Sequence, residues 1–399
     1  MYYIVILFIL FLIATNIKSL IRYNKVKKYL LKNKNNDYNY VLTGKINVII
    51  PVYNEVNNIE SSIKYFKSLF KICNVYYVTT NKEISANTYN KVKNEILIQK
   101  TQNIFLYNSP NTEGTMANQL NYMARKLPSN SIIAIYNVDS RPEIETFLYV
   151  MKNMKENEAY QQVSYFNNRN NGVLYSAQKW QNRWSLIYEM AKYLKKSGNN
   201  NFVYTIGHGL FINKNILEKY GYWSEDEINE DNELGYRLLC NNIQIKPIPY
   251  LEKADFANNL KIYVKQQSTW VNGPLYAFSY YKKLKEKSIY KLKLAILNFK
   301  AFLSWTFFPI LFIVFMIISI FYNTIFTLII LLLMFIYISI YDYLVEKLLT
   351  KLKYIKKYNF INIICDFLFF IVHSFGGIIT IFKILRGKNN ITNKYNTKK

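Results

Sequence analysis

The chain has 399 residues, room for one catalytic domain of about 250 residues plus membrane segments. Its formal net charge is +26, which reflects AT-rich coding, attraction to anionic lipid headgroups, or both; no nucleic-acid-binding signature is present. The three cysteines, Cys73, Cys240 and Cys365, form no C-x-x-C pair, so neither a zinc site nor a disulfide framework is predicted.

The N-terminus predicts a transmembrane helix over residues 1–23. Residues 2–21 are apolar through Ile13, with neither the basic start nor the small-residue cleavage site of a signal peptide. Lys and Arg residues follow from Lys18 onward, and the positive-inside rule places residue 30 onward in the cytoplasm.

Residues 45–275 predict a cytoplasmic α/β domain. The run 46–52 is apolar and β-branched with no polar face, as in a buried parallel strand. Further strands are predicted at 75–79, 104–107 and 131–136, and they alternate with helices near 59–70, 83–99 and 114–126. Alternation of this kind predicts a mostly parallel sheet with helices on both faces.

Ligands of such sheets bind at the carboxyl ends of the strands, here the loops 53–57, 79–83 and 137–141. Asp139 follows a strand directly, and a carboxylate there suits a Mg²⁺ ion that also holds a diphosphate. The alternative is that Asp139 or Ser140 caps the helix that begins near Pro142.

Three later motifs carry candidate binding or catalytic groups. TIGHG (205–209) places His208 between glycines, which predicts either close approach to a ligand or a tight turn. Glu230-Asp231 reads as a helix N-terminus, which keeps Asp231 ionised and able to accept a proton. QQSTW (266–270) is either a substrate-holding segment or an interfacial Trp anchor.

An aromatic-rich helix is predicted over 174–193, with Trp180 and Trp184. It either belongs to the core or lines an acceptor channel.

The C-terminal third predicts interfacial helices over 276–300 and a transmembrane region over 301–385, with spans at 301–322 and 324–344. A basic interfacial stretch is predicted at 346–359, and a basic cytoplasmic tail at 386–399. The segment 361–385 is apolar but interrupted near Gly376-Gly377. It is a re-entrant or in-plane segment, or a single crossing with an outside tail.

In order and spacing, these motifs resemble the inverting glycosyltransferases of family 2, in the membrane branch of cellulose, hyaluronan and chitin synthases and ceramide glucosyltransferase. Asn-Val-Asp139 resembles the family's D-x-D, Glu230-Asp231 its T-E-D, and Gln266–Trp270 its Q-x-x-R-W. The helix beginning GTMANQLN (114–121) resembles its G-K-x-x-A-L-N segment. The resemblance covers roughly 45–275 and implies a GT-A fold.

The resemblance also implies roles for individual residues. Asp231 is expected to act as the base, with Glu230 beside it, and Asp139 to ligate Mg²⁺ or Mn²⁺. The residues expected to bind the donor are Pro51, Tyr53, Glu55, Thr79, Asn121, Asn137 and Asp139. Those expected near the acceptor or diphosphate are Gly207, His208, Gly209, Gln266, Gln267 and Trp270.

Four charged positions of the family pattern are neutral in this chain. Thr79-Thr80-Asn81 stand where the family has the aspartate that contacts the nucleobase, and Thr115 stands where it has the lysine of G-K-x-x-A-L-N. Asn137 replaces the first aspartate of D-x-D, and Thr269 replaces the arginine of Q-x-x-R-W. Compensating cations for the diphosphate are predicted among Arg141, Arg183 and Lys265.

The leading hypothesis is therefore a multi-pass enzyme of a bacterial-type plasma membrane that uses a nucleotide-sugar, with a UDP-sugar favoured. Its acceptor is expected to be a membrane lipid or a lipid-linked glycan or polysaccharide, with single transfer favoured over processive synthesis. Homo-oligomerisation is left open, and no nucleic-acid partner is expected. The competing hypothesis is a catalytically degenerate membrane scaffold.

Overall fold

A computed structural model describes residues 2–34, 44–168, 171–195, 201–356 and 362–387. The predicted tail beyond residue 387 and the end of the stretch predicted at 346–359 lie outside the described residues.

Nine strands form within the described residues, and they confirm the strands predicted from the sequence. They are β1 (Ile46–Pro51), β2 (Cys73–Thr80), β3 (Ile104–Ser109), β4 (Ile132–Ile135), β5 (Glu158–Gln161), β6 (Ser164–Phe166), β7 (Leu210–Asn213), β8 (Gln244–Pro247) and β9 (Glu252–Ala254).

Helices cover most of the remaining described chain. They are α1 (Tyr2–Asn33), α2 (Ile59–Lys67), α3 (Asn87–Gln99), α4 (Met116–Lys126), α5 (Ile144–Asn153), α6 (Gly172–Arg183), α7 (Ala191–Tyr193), α8 (Lys214–Tyr220), α9 (Glu230–Cys240), α10 (Leu260–Trp270), α11 (Asn272–Leu275), α12 (Ala277–Lys283), α13 (Ile289–Tyr322), α14 (Thr324–Phe335), α15 (Tyr341–Lys351), α16 (Ile363–His373) and α17 (Phe375–Leu385). The π-helical segments Trp184–Met190 and Ile336–Ile340 join α6 to α7 and α14 to α15.

Seven strands build the main sheet in the order β3-β2-β1-β4-β7-β5-β8. Neighbouring strands are parallel except at β7, which is antiparallel to both β4 and β5. β6 and β9 pair separately in a small parallel ribbon. The prediction of a mostly parallel sheet is confirmed.

Helices cover both faces of the main sheet, as predicted. Val48 and Ile50 pack with the apolar side chains of α2 and α5, whereas Ile49 faces the opposite core, to which α4, α8 and α9 contribute. Residues 46–50 are all buried, because a central strand covered on both faces has no side chain left for solvent.

Four helical segments in the described part of the chain are long and apolar enough to cross a membrane: Tyr2–Asn33, Ile289–Tyr322, Thr324–Lys351 and Ile363–Leu385. Two of these helices have bounds that differ from the predicted segments. α1 continues ten residues past 23, and α13 begins at Ile289, so residues 289–300 run without a break into the apolar segment predicted from 301. The last segment is interrupted at Ser374, just before the glycine pair.

Candidate active site

The antiparallel strand β7 brings the Gly-His-Gly turn to the carboxyl edge of the sheet. β4 ends at Ile135 and β7 begins opposite it at Leu210, so the residues after β4 and those before β7 share one edge. The Gly209 N–H donates to Ile135 O (2.7 Å), and Gln162 N–H donates to Gly209 O (2.8 Å).

Gly209 is required at this turn. Its φ is +66°, and a Cβ atom there would lie 2.9 Å from Gln162 O. A side chain at position 209 would therefore be strained and would collide with backbone.

Asp231 lies in the first turn of α9, where the helix dipole favours a carboxylate. Its Oδ1 accepts a hydrogen bond from Asn232 N (2.7 Å), and its main-chain carbonyl accepts from Thr205 Oγ1 (2.6 Å). Its Oδ2 would lie 3.4 Å from a Cβ atom at Gly207, so Asp231 and the Gly-His-Gly turn are adjacent.

A cavity of about 120 Å³ brings together four of the residues predicted from the sequence. This inner cavity is lined by His208, Asp231, Gln267 and Trp270, among others. Glu230 does not line it and is 1% exposed. Gln266 is half-buried on α10 outside the lining, so of the two glutamines only Gln267 faces the cavity.

Gln267 has the features of a ligand-binding group. It is 1% exposed, and neither its Oε1 nor its Nε2 has a hydrogen-bond partner among the described residues. Buried amides are almost always hydrogen-bonded in folded proteins, so a polar group lining a cavity in this state is suited to a bound polar molecule.

The residues expected to bind the donor all lie outside the lining of the inner cavity, and all except Asn121 of α4 lie at or near strand ends. Tyr53 follows β1, and its ring centroid lies 5.6 Å from Lys82 Nζ. Asn137 and Asp139 follow β4, and Asp139 is 9% exposed. Pro51 and Glu55 are half-buried at the end of β1 and in the loop after it. A direct contact of these residues with a donor stays a prediction.

Two of the expected donor residues are engaged within the protein. Asn121 donates through its amide to Trp223 O and Glu225 Oε1 (both 2.8 Å), and Thr79 Oγ1 donates to Asn108 Oδ1 (2.8 Å). Asn121 thus connects α4 to the loop before α9. Thr115, at the family's lysine position, caps α4 by accepting from Ala117 N (3.2 Å).

The expectation that Arg183 compensates for the missing donor-side charges is wrong. Arg183 is 0% exposed at the end of α6, where it pairs with Asp342 of α15 at 3.6 Å. Arg141 instead binds the carbonyls of Val138 and Ser140 and the hydroxyl of Ser61. Lys265 is exposed on α10, and its role stays a prediction.

Lys82 and His208 also lie at the carboxyl edge of the sheet. Lys82 Nζ donates to Gly114 O (3.1 Å), which joins the loop after β2 to the start of α4. The sequence analysis singled out the loop 79–83 but missed this lysine. Its position directly after Thr79-Thr80-Asn81 is the feature of the sequence that could have identified it.

His208 forms a pair with Glu252, another residue that the sequence analysis missed. The two side chains lie 3.0 Å apart, Nδ1 to Oε2. Burial opposes protonation, but Glu252, Asp139 and Glu189 together raise the pKa of His208 above its ordinary value. The Glu252 side chain is 0% exposed.

Glu252→Gln is expected to lower the pKa of His208 by about one unit or more, because a close opposite charge is removed. The pair stabilises the fold fully below the ordinary histidine pKa, and this contribution is lost as pH rises through the raised value. NMR of ring-labelled histidine measures the shift directly. The chain has two histidines, so a His208→Gln variant assigns the signals. An unchanged titration in Glu252→Gln would contradict the assigned pairing.

Gly235 holds α9, and therefore Asp231, against the chain before the Gly-His-Gly turn. A Cβ atom at position 235 would lie 2.5 Å from Thr205 N and 2.7 Å from Tyr204 Cα, and neither backbone atom can rotate away. Gly235→Ala is expected to lower the free energy of unfolding by about 1–3 kcal/mol.

Thermal unfolding of the purified chain measures this effect. Gly44→Ala is the matched control, because no heavy atom of the described residues lies within 4 Å of the Cβ position there. Equal melting temperatures for both variants would show that α9 can move away at no cost.

The sequence profile of glycosyl transferase family group 2 matches residues 132–341, more than half of the chain. The chain belongs to this family. The match includes β4, the Gly-His-Gly turn, Asp231 and α10, and it extends into the apolar helices. The chain therefore carries a family 2 glycosyltransferase domain, as the motifs predicted; its place in the membrane branch stays a prediction.

A curated relative and a solved structure agree with this assignment. The chain is 23% identical over 235 residues, 57% of its length, to a probable glycosyltransferase from Sulfolobus acidocaldarius, and it spans 49% of that protein. It is similar in fold to the mannosyltransferase PcManGT from Pyrobaculum calidifontis, solved in complex with GDP-Man and Mn2+. The TM-score is 0.58 at 14% identity, over 96% of this chain and 99% of the other.

Proposed function

We propose that this chain is a membrane-bound inverting glycosyltransferase that moves a sugar from a nucleotide-sugar, a UDP-sugar in the favoured form, to a hydroxyl of a lipid-linked or polysaccharide acceptor in cell-surface glycan synthesis. The observation that carries the proposal is the inner cavity. There Asp231, at a helix N-terminus, shares one space with His208, with Trp270 and with the polar atoms of Gln267, which have no hydrogen-bond partner in the described part of the chain.

In the proposed reaction Asp231 accepts the proton of the acceptor hydroxyl. The oxygen forms a bond to the anomeric carbon from the face opposite the leaving group. The bond from that carbon to the diphosphate oxygen breaks, and the nucleoside diphosphate leaves with the electron pair. General-base catalysis of this kind contributes about 10²–10⁴-fold to the rate.

The residues at the sheet edge fit a divalent cation that is shared with the donor. Asp139 offers one carboxylate at the end of β4, and no cluster of three His, Cys, Asp or Glu side chains suited to a metal occurs within the described ranges. Mg²⁺ favours few carboxylates together with phosphate oxygens and water, which is the set that Asp139 and a diphosphate supply. When bound, Mg²⁺ or Mn²⁺ would neutralise charge on the leaving diphosphate.

In the proposed topology the catalytic domain lies on the cytoplasmic side of a plasma membrane of bacterial type. The segment 363–385 then lies along this domain rather than crossing the bilayer. Its contacts support this: Asp366 binds Lys179 of α6, and Thr380 Oγ1 donates to Ser268 O of α10. Gly376, between them, packs against Gln267.

The test is consumption of a panel of nucleotide-sugars by the purified full chain with membrane lipids and Mg²⁺ or Mn²⁺. Release of nucleoside diphosphate with product of inverted configuration supports the proposal. If no donor in a broad panel is consumed and calorimetry detects no nucleoside diphosphate binding, the degenerate-scaffold hypothesis replaces it.

A further inference from the structure

A second cavity, of about 230 Å³, adjoins the inner cavity and carries a cluster of positive charge. Its charged lining residues, here called the basic cleft, are Lys18, Arg22, Lys192, Lys195 and Lys300. No carboxylate lines this cavity in the part of the chain that the structure describes, and none of the five cations has an ion pair recorded there.

The basic cleft lies where two apolar segments begin and end. On α1, Lys18 and Arg22 are one helical turn apart, directly after the apolar run. On α13, Lys300 directly precedes the apolar residues from 301 onward. Both helices thus carry their cations at the boundary of apolar chain, the level at which lipid phosphates lie in a bilayer.

The cations repel one another in the absence of an anion. Burial, and then the charges of Arg22, Lys18 and Lys195, lower the pKa of Lys192 to about 8, although nearby Glu189 opposes this. The pKa of Lys195 is also lowered, by burial and by Arg22 and Lys25. A bound phosphate would relieve this repulsion through charge-assisted hydrogen bonds.

Trp184, Lys192 and Trp305 line both cavities, so the basic cleft and the space that contains Asp231 share a wall. The two indole rings of this wall are in contact, with their centroids 5.5 Å apart. Trp305 Nε1 is buried without a hydrogen-bond partner among the described residues, so the shared wall presents both an apolar ring surface and a donor. Such a surface is suited to the ring and hydroxyls of a sugar.

We infer that the acceptor is a phosphate-bearing lipid whose phosphate binds in the basic cleft and whose hydroxyl-bearing head extends along the wall formed by Trp184 and Trp305 toward Asp231. The tail would leave toward the bilayer between α1 and α13. The acceptor role rests on the proposed function, whereas binding of the lipid phosphate can be measured without it.

The test uses the full chain in nanodiscs of zwitterionic lipid, with farnesyl phosphate, farnesol and inorganic phosphate as probes. Farnesyl phosphate is expected to bind at least about tenfold more tightly than farnesol, because charge-assisted contacts are lost in the alcohol. The double variant Arg22→Gln/Lys300→Gln is expected to lose about tenfold or more of this affinity.

The matched control is Lys28→Gln/Lys293→Gln, which removes two exposed cations from the same two helices outside the cavity lining. Equal binding of farnesol and farnesyl phosphate, equal losses in both double variants, or inorganic phosphate binding as tightly as farnesyl phosphate would each overturn the inference. Calorimetry with a panel of nucleoside diphosphates is run in parallel. If farnesyl phosphate does not bind while a nucleoside diphosphate does, the inference alone is rejected; if farnesyl phosphate binds while no nucleoside diphosphate does, the proposed function alone is rejected.

Discussion

Asp231→Asn is expected to reduce sugar transfer by roughly three orders of magnitude while the affinity for nucleoside diphosphate stays within about twofold. Asn has nearly the same shape but cannot take up the proton of the acceptor hydroxyl. Its amide oxygen can still accept from Asn232 N, as Asp231 Oδ1 does at 2.7 Å, so the first turn of α9 is preserved. Initial rates of transfer and calorimetric titration with UDP separate the two effects.

Asp226→Asn is the control for this variant. Asp226 belongs to the same acidic segment but is exposed and outside the inner cavity, so its substitution removes equal charge without touching the proposed base. Transfer by Asp231→Asn at a tenth of the wild-type rate or more would exclude Asp231 as the base. An equal loss in Asp226→Asn would attribute the effect to overall charge.

The strands could be predicted because their local signals agree with their environment. Residues 46–50 are apolar without alternation, and the structure places them in the centre of a sheet covered on both faces. The sequence of β7 gave no indication of the direction in which the strand runs. Its residues Leu210–Asn213 fit a parallel or an antiparallel strand equally well, and pairing with β4 and β5 decides the direction. That direction in turn brings His208 to the carboxyl edge.

Asp231 and Trp270 line the inner cavity while their roles stay predictions, whereas the burial of Arg183 contradicts its expected role. Asp231 and Trp270 could be singled out from the sequence because a carboxylate at a helix N-terminus and an indole near a membrane boundary have local causes. The position of Arg183 could not be predicted locally, because its partner Asp342 belongs to α15, more than 150 residues away in the chain. Glu252 was missed for the same reason. Its partner, His208, lies in the turn before β7, and only the fold brings the two side chains together.

Arg183 joins the sheet domain to the apolar helices, and its loss is expected to have the largest effect on stability. It lies 3.6 Å from Asp342 Oδ1, donates to the carbonyl of Tyr337, and lies 4.6 Å from the centroid of the Trp180 ring. The side chains of Arg183 and Asp342 are each at most 2% exposed. Removing one partner of a buried ion pair leaves the other charge without compensation, at a cost of about 3–5 kcal/mol.

Arg183→Met is therefore expected to lower the thermal stability of the purified chain far more than Lys91→Met, which breaks the Lys91–Glu95 pair within α3, where the Lys91 side chain is 36% exposed. Pairs four residues apart on one helix contribute roughly 0.3–0.5 kcal/mol. The double variant Arg183→Met/Asp342→Leu removes both charges and should recover much of the lost stability, since the cost arises from the charge left behind.

The same series tests whether this pair also maintains the cavities. Arg183 directly precedes Trp184, and the π-helical segment that begins there carries Trp184 and Glu189 into the inner cavity. If the pair only stabilises the fold, Arg183→Met/Asp342→Leu recovers stability and transfer together. If it also positions the π-helical segment, stability returns while transfer stays low, because Trp184 is then displaced from the wall that the two cavities share.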